Sequence, residues 1–328
     1  MTFDRTALTA AFRTALLAAL VATGLSGAAE AKDFPNHTVT IIIPYGGGGS
    51  TDLIARALAN ELSQQWGEAV IVENRPGAGS MIGTAFLSQA KPDGYTLLVN
   101  TPAHATAPAV QKSLPFNPRT DITPIGMVAT SPYMAVGGKG VQAKNFKEFV
   151  AEAKARPMFF ATAGVGTSSH FAAELLIQQA DIGGDVVHFA GGGEAQTNLM
   201  GGHADIYISN TASVMPYVNN GQVKPVVILG PTRYEALPDV QSSGEVGVDG
   251  IDINSWVGLF GPGKMDPALV ERLNTDLHKA LQSPTFKKVL AENFVQPGTG
   301  TPAEFKAQVE KEMDLWANLA KERNIVVQ

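Results

Sequence analysis

The chain has 328 residues, 45% hydrophobic and 16% charged, with 24 Lys and Arg against 30 Asp and Glu. This is the composition of a globular protein long enough for two domains, and it excludes a disordered, collagenous or disulfide-stapled chain. A formal charge of −6 leaves no basic stripe for nucleic acid, and the absence of cysteine removes thiol catalysis, Cys-ligated zinc and disulfides together.

Arg5 and Arg13 precede an apolar run over residues 14–25, and small residues then lead to Ala29-Glu30-Ala31. The pattern is that of a secretory signal with an A-x-A cleavage site, too short to span a bilayer, so residues 1–31 are expected to be a signal peptide and the mature protein to be periplasmic.

From Thr38 the sequence alternates strand and helix patterns. Residues 38–43 are β-branched throughout and stop at Pro44; glycines lead to Ser50-Thr51-Asp52 and to an apolar stripe of Ile54, Leu58, Leu62 and Trp66. Residues 70–72 and 95–99 read as further short strands, with a weaker helix over 80–89 between them. Runs this apolar suit a parallel sheet covered on both faces. A second series begins at 125–136. Asn145 and Glu148 form a capping box, 158–161 reads as a strand, and a helix starts at Thr167. Strands are predicted at 186–187, 205–208 and 226–229. The tail is helical, with stripes of Leu269, Leu273, Leu277 and Leu281, then Phe305, Val309, Met313 and Trp316. Two βαβ series with terminal helices predict an α/β protein of two doubly wound lobes, and the lack of a flexible linker favours two ordered crossings between them.

Three Gly-rich turns carry the chemistry: Gly46 to Gly49 before Ser50-Thr51, Gly164-Val165-Gly166 before Thr167-Ser168-Ser169, and Gly191-Gly192-Gly193. Such turns offer free backbone N–H groups at a helix N-terminus, and the adjacent hydroxyls make an anion site. None is a P-loop or a dinucleotide fingerprint, which disfavours a nucleotide. No G-x-S-x-G elbow exists, and Ser169-His170, adjacent in sequence, cannot work as nucleophile and base on one helix face. A secreted serine hydrolase using Ser168 or Ser169 is the alternative of a different class. It lacks a base and an oxyanion hole in sequence. His170 and Glu174, four apart, could share a metal, but a third ligand is missing and a surface or capping pair is the expectation. His104, His188 and His203 have no metal spacing. No metal or cofactor is expected. Trp66, Trp256 and Trp316 are expected to fill core or inter-lobe space, with Tyr45 at the ligand.

Residues 39–56, Glu73-Asn74-Arg75-Pro76-Gly77-Ala78-Gly79 and 92–98 closely resemble the Bug family, the TctC-like periplasmic solute-binding proteins of tripartite tricarboxylate transporters. The likeness continues through 164–170, 195–202, Leu237-Pro238-Asp239-Val240 and 255–260. It implies the periplasmic binding protein architecture: two α/β lobes, 32–131 plus 253–328 and 132–252, joined by two crossing strands near 125–136 and 255–260. It also implies a protein that is no enzyme, a monomer that captures a small carboxylate in the cleft and delivers it to membrane subunits, with no nucleic-acid partner.

By motif position the resemblance places Tyr45, Gly48, Ser50 and Thr51 from lobe one and Gly164, Thr167, Ser168 and His170 from lobe two on the carboxylate. Asn100, Thr101, His104, Gly191 and Asn210 form the wall. Many relatives have Tyr-Lys-Gly where this chain has Phe189-Ala190-Gly191, and Asp-Asn where it has Ser209-Asn210. Losing that carboxylate at Ser209 disfavours amino acids, so an aromatic or aliphatic di- or tricarboxylate is expected, a C4 to C6 dicarboxylate or an aromatic acid first.

Overall fold

The computed structural model describes residues 34–111, 113–248 and 251–325. The described residues fall into two units divided between His37 and Thr38. The expected signal peptide lies outside the described residues, and the described part of the first unit, 34–37, contains no helix or strand.

In the second unit, β1 (Val39–Ile43) is stopped by Pro44, and α1 (Ser50–Trp66) follows the glycine turn. α1 ends at Gly67, whose left-handed φ of 70° suits glycine and whose N–H bonds the Ser63 carbonyl. Ile54, Leu58 and Leu62 are buried as their spacing requires, whereas Trp66 is half-exposed and donates its indole N–H to Asp276, outside the core. β1 pairs in parallel with β2 (Val70–Asn74) and β3 (Thr96–Asn100). The expectation of strands covered on both faces fails at β2. It is the sheet edge with one neighbour, and Ile71 is 51% exposed.

α2 (Met81–Ser88) is the weak helix foreseen, entered through a 3-10 turn; α3 (Ala103–Val110) was not foreseen, and Pro108 interrupts its pattern. The long strand β4 (Ile122–Gly137) then changes partners along its length. Residues 122–132 pair antiparallel with β9 (Asn254–Pro262), whereas 133–137 pair with β7 (Ile206–Asn210) and β8 (Lys224–Leu229). β10 (Gln296–Pro297) adds to β4 as well.

Asn145 caps α4 (Phe146–Ala155) by accepting from the Glu148 N–H. β5 (Phe159–Thr162) pairs in parallel with β6 (Asp185–His188) and β7. The sheet runs β2-β1-β3-β9-β4-β7-β5-β6, so it is mixed at its centre and parallel toward both ends. Between these strands lie α5 (Ser168–Gln179), α6 (Gly192–Gly201) and α7 (Thr211–Asn219). The tail supplies α8 (Pro267–Leu281), α9 (Pro284–Glu292) and α10 (Pro302–Glu322), the last opened by a Thr301–Glu304 capping box. α10 buries Phe305, Val309, Met313 and Trp316. Trp316 packs on Phe171 of α5 with ring centroids 5.1 Å apart, and Trp256 of β9 packs on Phe260 and Phe305. Both tryptophans are thus core residues. No described helix is long and apolar enough to cross a membrane.

Candidate ligand-binding site

One cavity of about 1130 Å³ opens where β4 changes partners. Helix N-termini from both halves of the sheet meet around it: Gly49-Ser50-Thr51 of α1, Thr167-Ser168-Ser169 of α5, Gly192 of α6, and Asn210 with Ala212 and Ser213 of α7. The first N–H groups of a helix have no partner within it, so each terminus offers donors and the positive end of a dipole. Gly49, extended at φ −80°, caps α1 without a side chain and leaves those groups uncovered. Glycine there also leaves open space: a Cβ at Gly49 would meet nothing within 4 Å.

Of the residues expected at the ligand, Tyr45, Ser50, Thr51, Thr101, Thr167, Ser168, Ser209 and Asn210 line this cavity. Tyr45 is held from behind, its hydroxyl donating to Asn100 Oδ1 at 2.8 Å and lying 2.6 Å from Thr101 Oγ1. Burial pushes its phenol pKa up to about 12, against the lowering effect of hydrogen bonding with Thr101 and Ser80, so it remains neutral. The Thr167 hydroxyl is not free for a ligand. It donates to the Gly164 carbonyl at 2.7 Å and accepts the His170 N–H at 3.3 Å, the cap of α5. Asn210 likewise caps α7 by accepting the Ser213 N–H and hydroxyl.

Six expected residues stand off the cavity wall, each for a physical reason. The Gly48 N–H points to Asp52 Oδ2 at 3.0 Å. Asn100 is fully buried and bridges Tyr45 to Thr84, to which its Nδ2 donates. His104 packs on the Phe260 ring at 5.1 Å, and burial pushes its pKa down to about 4, which keeps it neutral. Gly164 supplies the left-handed turn, φ 123°, and the carbonyl that Thr167 caps. His170 faces inward, its Nδ1 accepting the Gly166 N–H at 3.1 Å. Gly191 is the cap position of α6, and its neighbour Gly192 reaches the wall instead.

Sequence reasoning missed the floor of the cavity: Ser131 and Tyr133 of β4, Ser255 and Trp256 of β9, Tyr207 of β7, and Phe294 beyond α9. Tyr133 is buried, which pushes its pKa up to about 12, while hydrogen bonding to the Ser168 and Ser255 hydroxyls pulls the other way. The acid that lines the wall at α1, Asp52, bonds Arg56 at 3.0 Å, the Gly48 N–H and Asn74 Nδ2, and these partners hold its carboxyl down at about 2.

The Ser169 hydroxyl donates to the Ile208 carbonyl while the His170 Nδ1 serves Gly166, so the two form no nucleophile–base pair. His170 Nε2 lies 3.8 Å from Glu174, whose carboxylate forms an ion pair with Arg323 at 3.5 Å. Among the described residues no group of three His, Cys, Asp or Glu could hold a metal ion.

Residues 54–325 match the family described as tripartite tricarboxylate transporter family receptor. The chain belongs to this family. Its members are solute-binding receptors, not enzymes. Among curated proteins the chain is similar to BugT of Bordetella pertussis, 29% identical over 313 residues, which cover 94% of this chain and 96% of BugT. Among solved structures it is similar to a Rhodopseudomonas palustris protein determined with adipate, with TM-score 0.77 and 28% identity over 90% of this chain and 99% of that one. It is also similar to MatC of the same organism with bound malate, with TM-score 0.72 and 28% identity over 87% and 99% of the two chains. The family resemblance read from the glycine turns and the 73–79 and 255–260 motifs is therefore confirmed, and with it the periplasmic binding protein fold.

Proposed function

We propose that this receptor captures a small organic carboxylate, an aliphatic C4 to C6 dicarboxylate or an aromatic acid, between lobes 32–131 plus 253–328 and 132–252, and delivers it as a monomer to the membrane subunits of a tripartite transporter. In this reading residues 1–31 direct export and the mature protein works in the periplasm.

The observation that carries the proposal is the meeting of the α1 and α5 N-termini in one cavity, with the Ser50, Thr51 and Ser168 hydroxyls beside them. Charge-assisted hydrogen bonds contribute about 1.5–3 kcal/mol each. Three or four of them, less the cost of association, reach the roughly −8 kcal/mol of a micromolar site. The relatives determined with adipate and malate support a dicarboxylate of this length. The partner change of β4 between Pro132 and Tyr133 supports the lobe boundary.

A thermal-shift screen of mono-, di- and tricarboxylates tests it. A ligand at 100 times its Kd stabilises by about 2.7 kcal/mol. A clear rise in Tm with adipate, malate or an aromatic acid is expected, and a screen in which amino acids alone stabilise would refute the ligand class.

A further inference from the structure

Behind the cavity wall lies a carboxylate that the binding site does not use. Glu312 of α10 is 7% exposed, and both of its oxygens accept the indole N–H of Trp256 at 3.0 Å. Gln308, one turn earlier on the same helix, donates to Oε1 at 3.1 Å. Trp256 sits on β9 opposite Thr130, two residues before the β4–β9 pairing ends at Pro132, and this residue, its ring packed on Phe260 and Phe305, is part of the cavity lining. The negative charge of Glu312 also reaches Tyr133 on the same floor, since it makes that phenol harder to ionise.

We infer that Glu312 is a positioning residue for ligand capture: it fixes the Trp256 floor through the indole N–H, and its protonation sets how much negative charge stands behind a bound carboxylate. The inference rests on the carboxylate reading given above.

Burial pushes the pKa of Glu312 up to about 7, and the Gln308 and Trp256 donors only partly offset this. Asp252, in the segment before β9, raises it further, and Lys311 on α10 lowers it. On α3 the buried His104 packs on Phe260, which separates it from Trp256. On α5, Glu174 faces Arg323 near the end of α10, and on α8, Asn274 and His278 turn to the Ile125 and Gly300 carbonyls. A bound anion favours the neutral acid, so by reciprocity the neutral acid favours the anion. Capture is then tighter below pH 7 than above it.

The experiment has a ligand-free arm and a ligand arm. In the free protein, tryptophan emission is titrated from pH 5.5 to 8.5 in the wild type, Glu312→Gln and Gln308→Leu. Glu312→Gln keeps an acceptor for the indole and removes the titration. A transition near neutrality in the wild type, lost in Glu312→Gln and moved to higher pH in Gln308→Leu, is expected; the same curve in the wild type and Glu312→Gln, or no transition in the wild type, overturns the inference.

In the second arm, calorimetry with adipate, ionised across this window, is run at pH 6.5 and 8.5. Wild-type affinity should fall on the order of three- to tenfold at the higher pH, the size of one partly screened charge, while Glu312→Gln stays flat. An equal change in both proteins overturns the inference. Adipate failing to bind at either pH counts against the carboxylate reading, and the emission arm still decides the role of Glu312.

Discussion

The backbone N–H of Gly166 donates to Nδ1 of His170 at 3.1 Å, so the histidine, four residues along the chain, holds the glycine loop that reaches the cavity. The imidazole itself stands off the cavity wall and meets it through Gly166. Replacing His170 with Leu frees the loop at the mouth of α5. Carboxylate affinity should drop by about 1–2 kcal/mol, the worth of a lost positioning bond, in a protein that still folds. Calorimetry beside a denaturation curve separates the two effects, and an unchanged Kd would show that the loop needs no such anchor.

The two hydroxyl-bearing turns should respond differently to truncation. Ser50 opens α1 at the wall behind a cap that has no side chain, so Ser50→Ala should weaken binding by about 1–3 kcal/mol and leave stability alone. The Thr167 hydroxyl closes the cap of α5. Thr167→Ala should cost about 1 kcal/mol of folding stability as well. Equal stability of both variants in urea would contradict that division.

Ser209 is a buried wall residue on β7. Ser209→Asp puts a charge into the cavity, where at 4–6 Å it matters at the level of kcal/mol. Binding of succinate should weaken at least tenfold and binding of aspartate less, or even improve. Parallel losses for the two ligands would mean that position 209 does not select between them.

Acid should unfold the protein partly through His104. Its pKa is pushed from 6.5 down to about 4 by burial, so the unfolded chain takes up a proton between these values and the native one does not. Stability from this group is present above pH 6.5 and is lost as the pH falls toward 4, by about 2–3 kcal/mol. Glu312 acts in the opposite sense. Its folded pKa of about 7 lies above the ordinary carboxyl value, so its contribution grows as pH falls from 7. Denaturation of His104→Phe between pH 7 and 4 isolates the first: its curve should fall less steeply than that of the wild type, and parallel curves would assign the acid sensitivity elsewhere.

The glycine turns were legible because every signal is local. Pro44 ends a strand, glycines follow, and Ser50-Thr51 begins a helix, so the cavity's α1 corner can be read within a dozen residues. The same holds for Thr167-Ser168 on α5. Asn100, His104 and His170 sit in the right motifs but face inward, because a buried hydroxyl, ring or N–H elsewhere needs them. No local pattern states which way such a side chain turns. Tyr133, Trp256 and Phe294 were hidden for another reason. They reach the floor only because β4, β9 and the segment after α9 come together across more than a hundred residues of chain, and strand-like alternation does not say which strands pair.

β4 is one strand of 16 residues, roughly 50 Å long at the usual rise. It serves as an inner strand to two sets of partners in turn. Neither half of the sheet can melt without leaving the other an unpaired edge, so heat should unfold residues 38–328 in one calorimetric transition. Assembly meets the same constraint in reverse. β4 waits for β9, whose Trp256 pairs with Thr130 only after about 120 further residues have been made, and such distant pairings slow folding. Until β9 arrives, the 122–132 half of the strand at the centre of the finished sheet is an unpaired edge, open to the wrong partner as readily as to the right one.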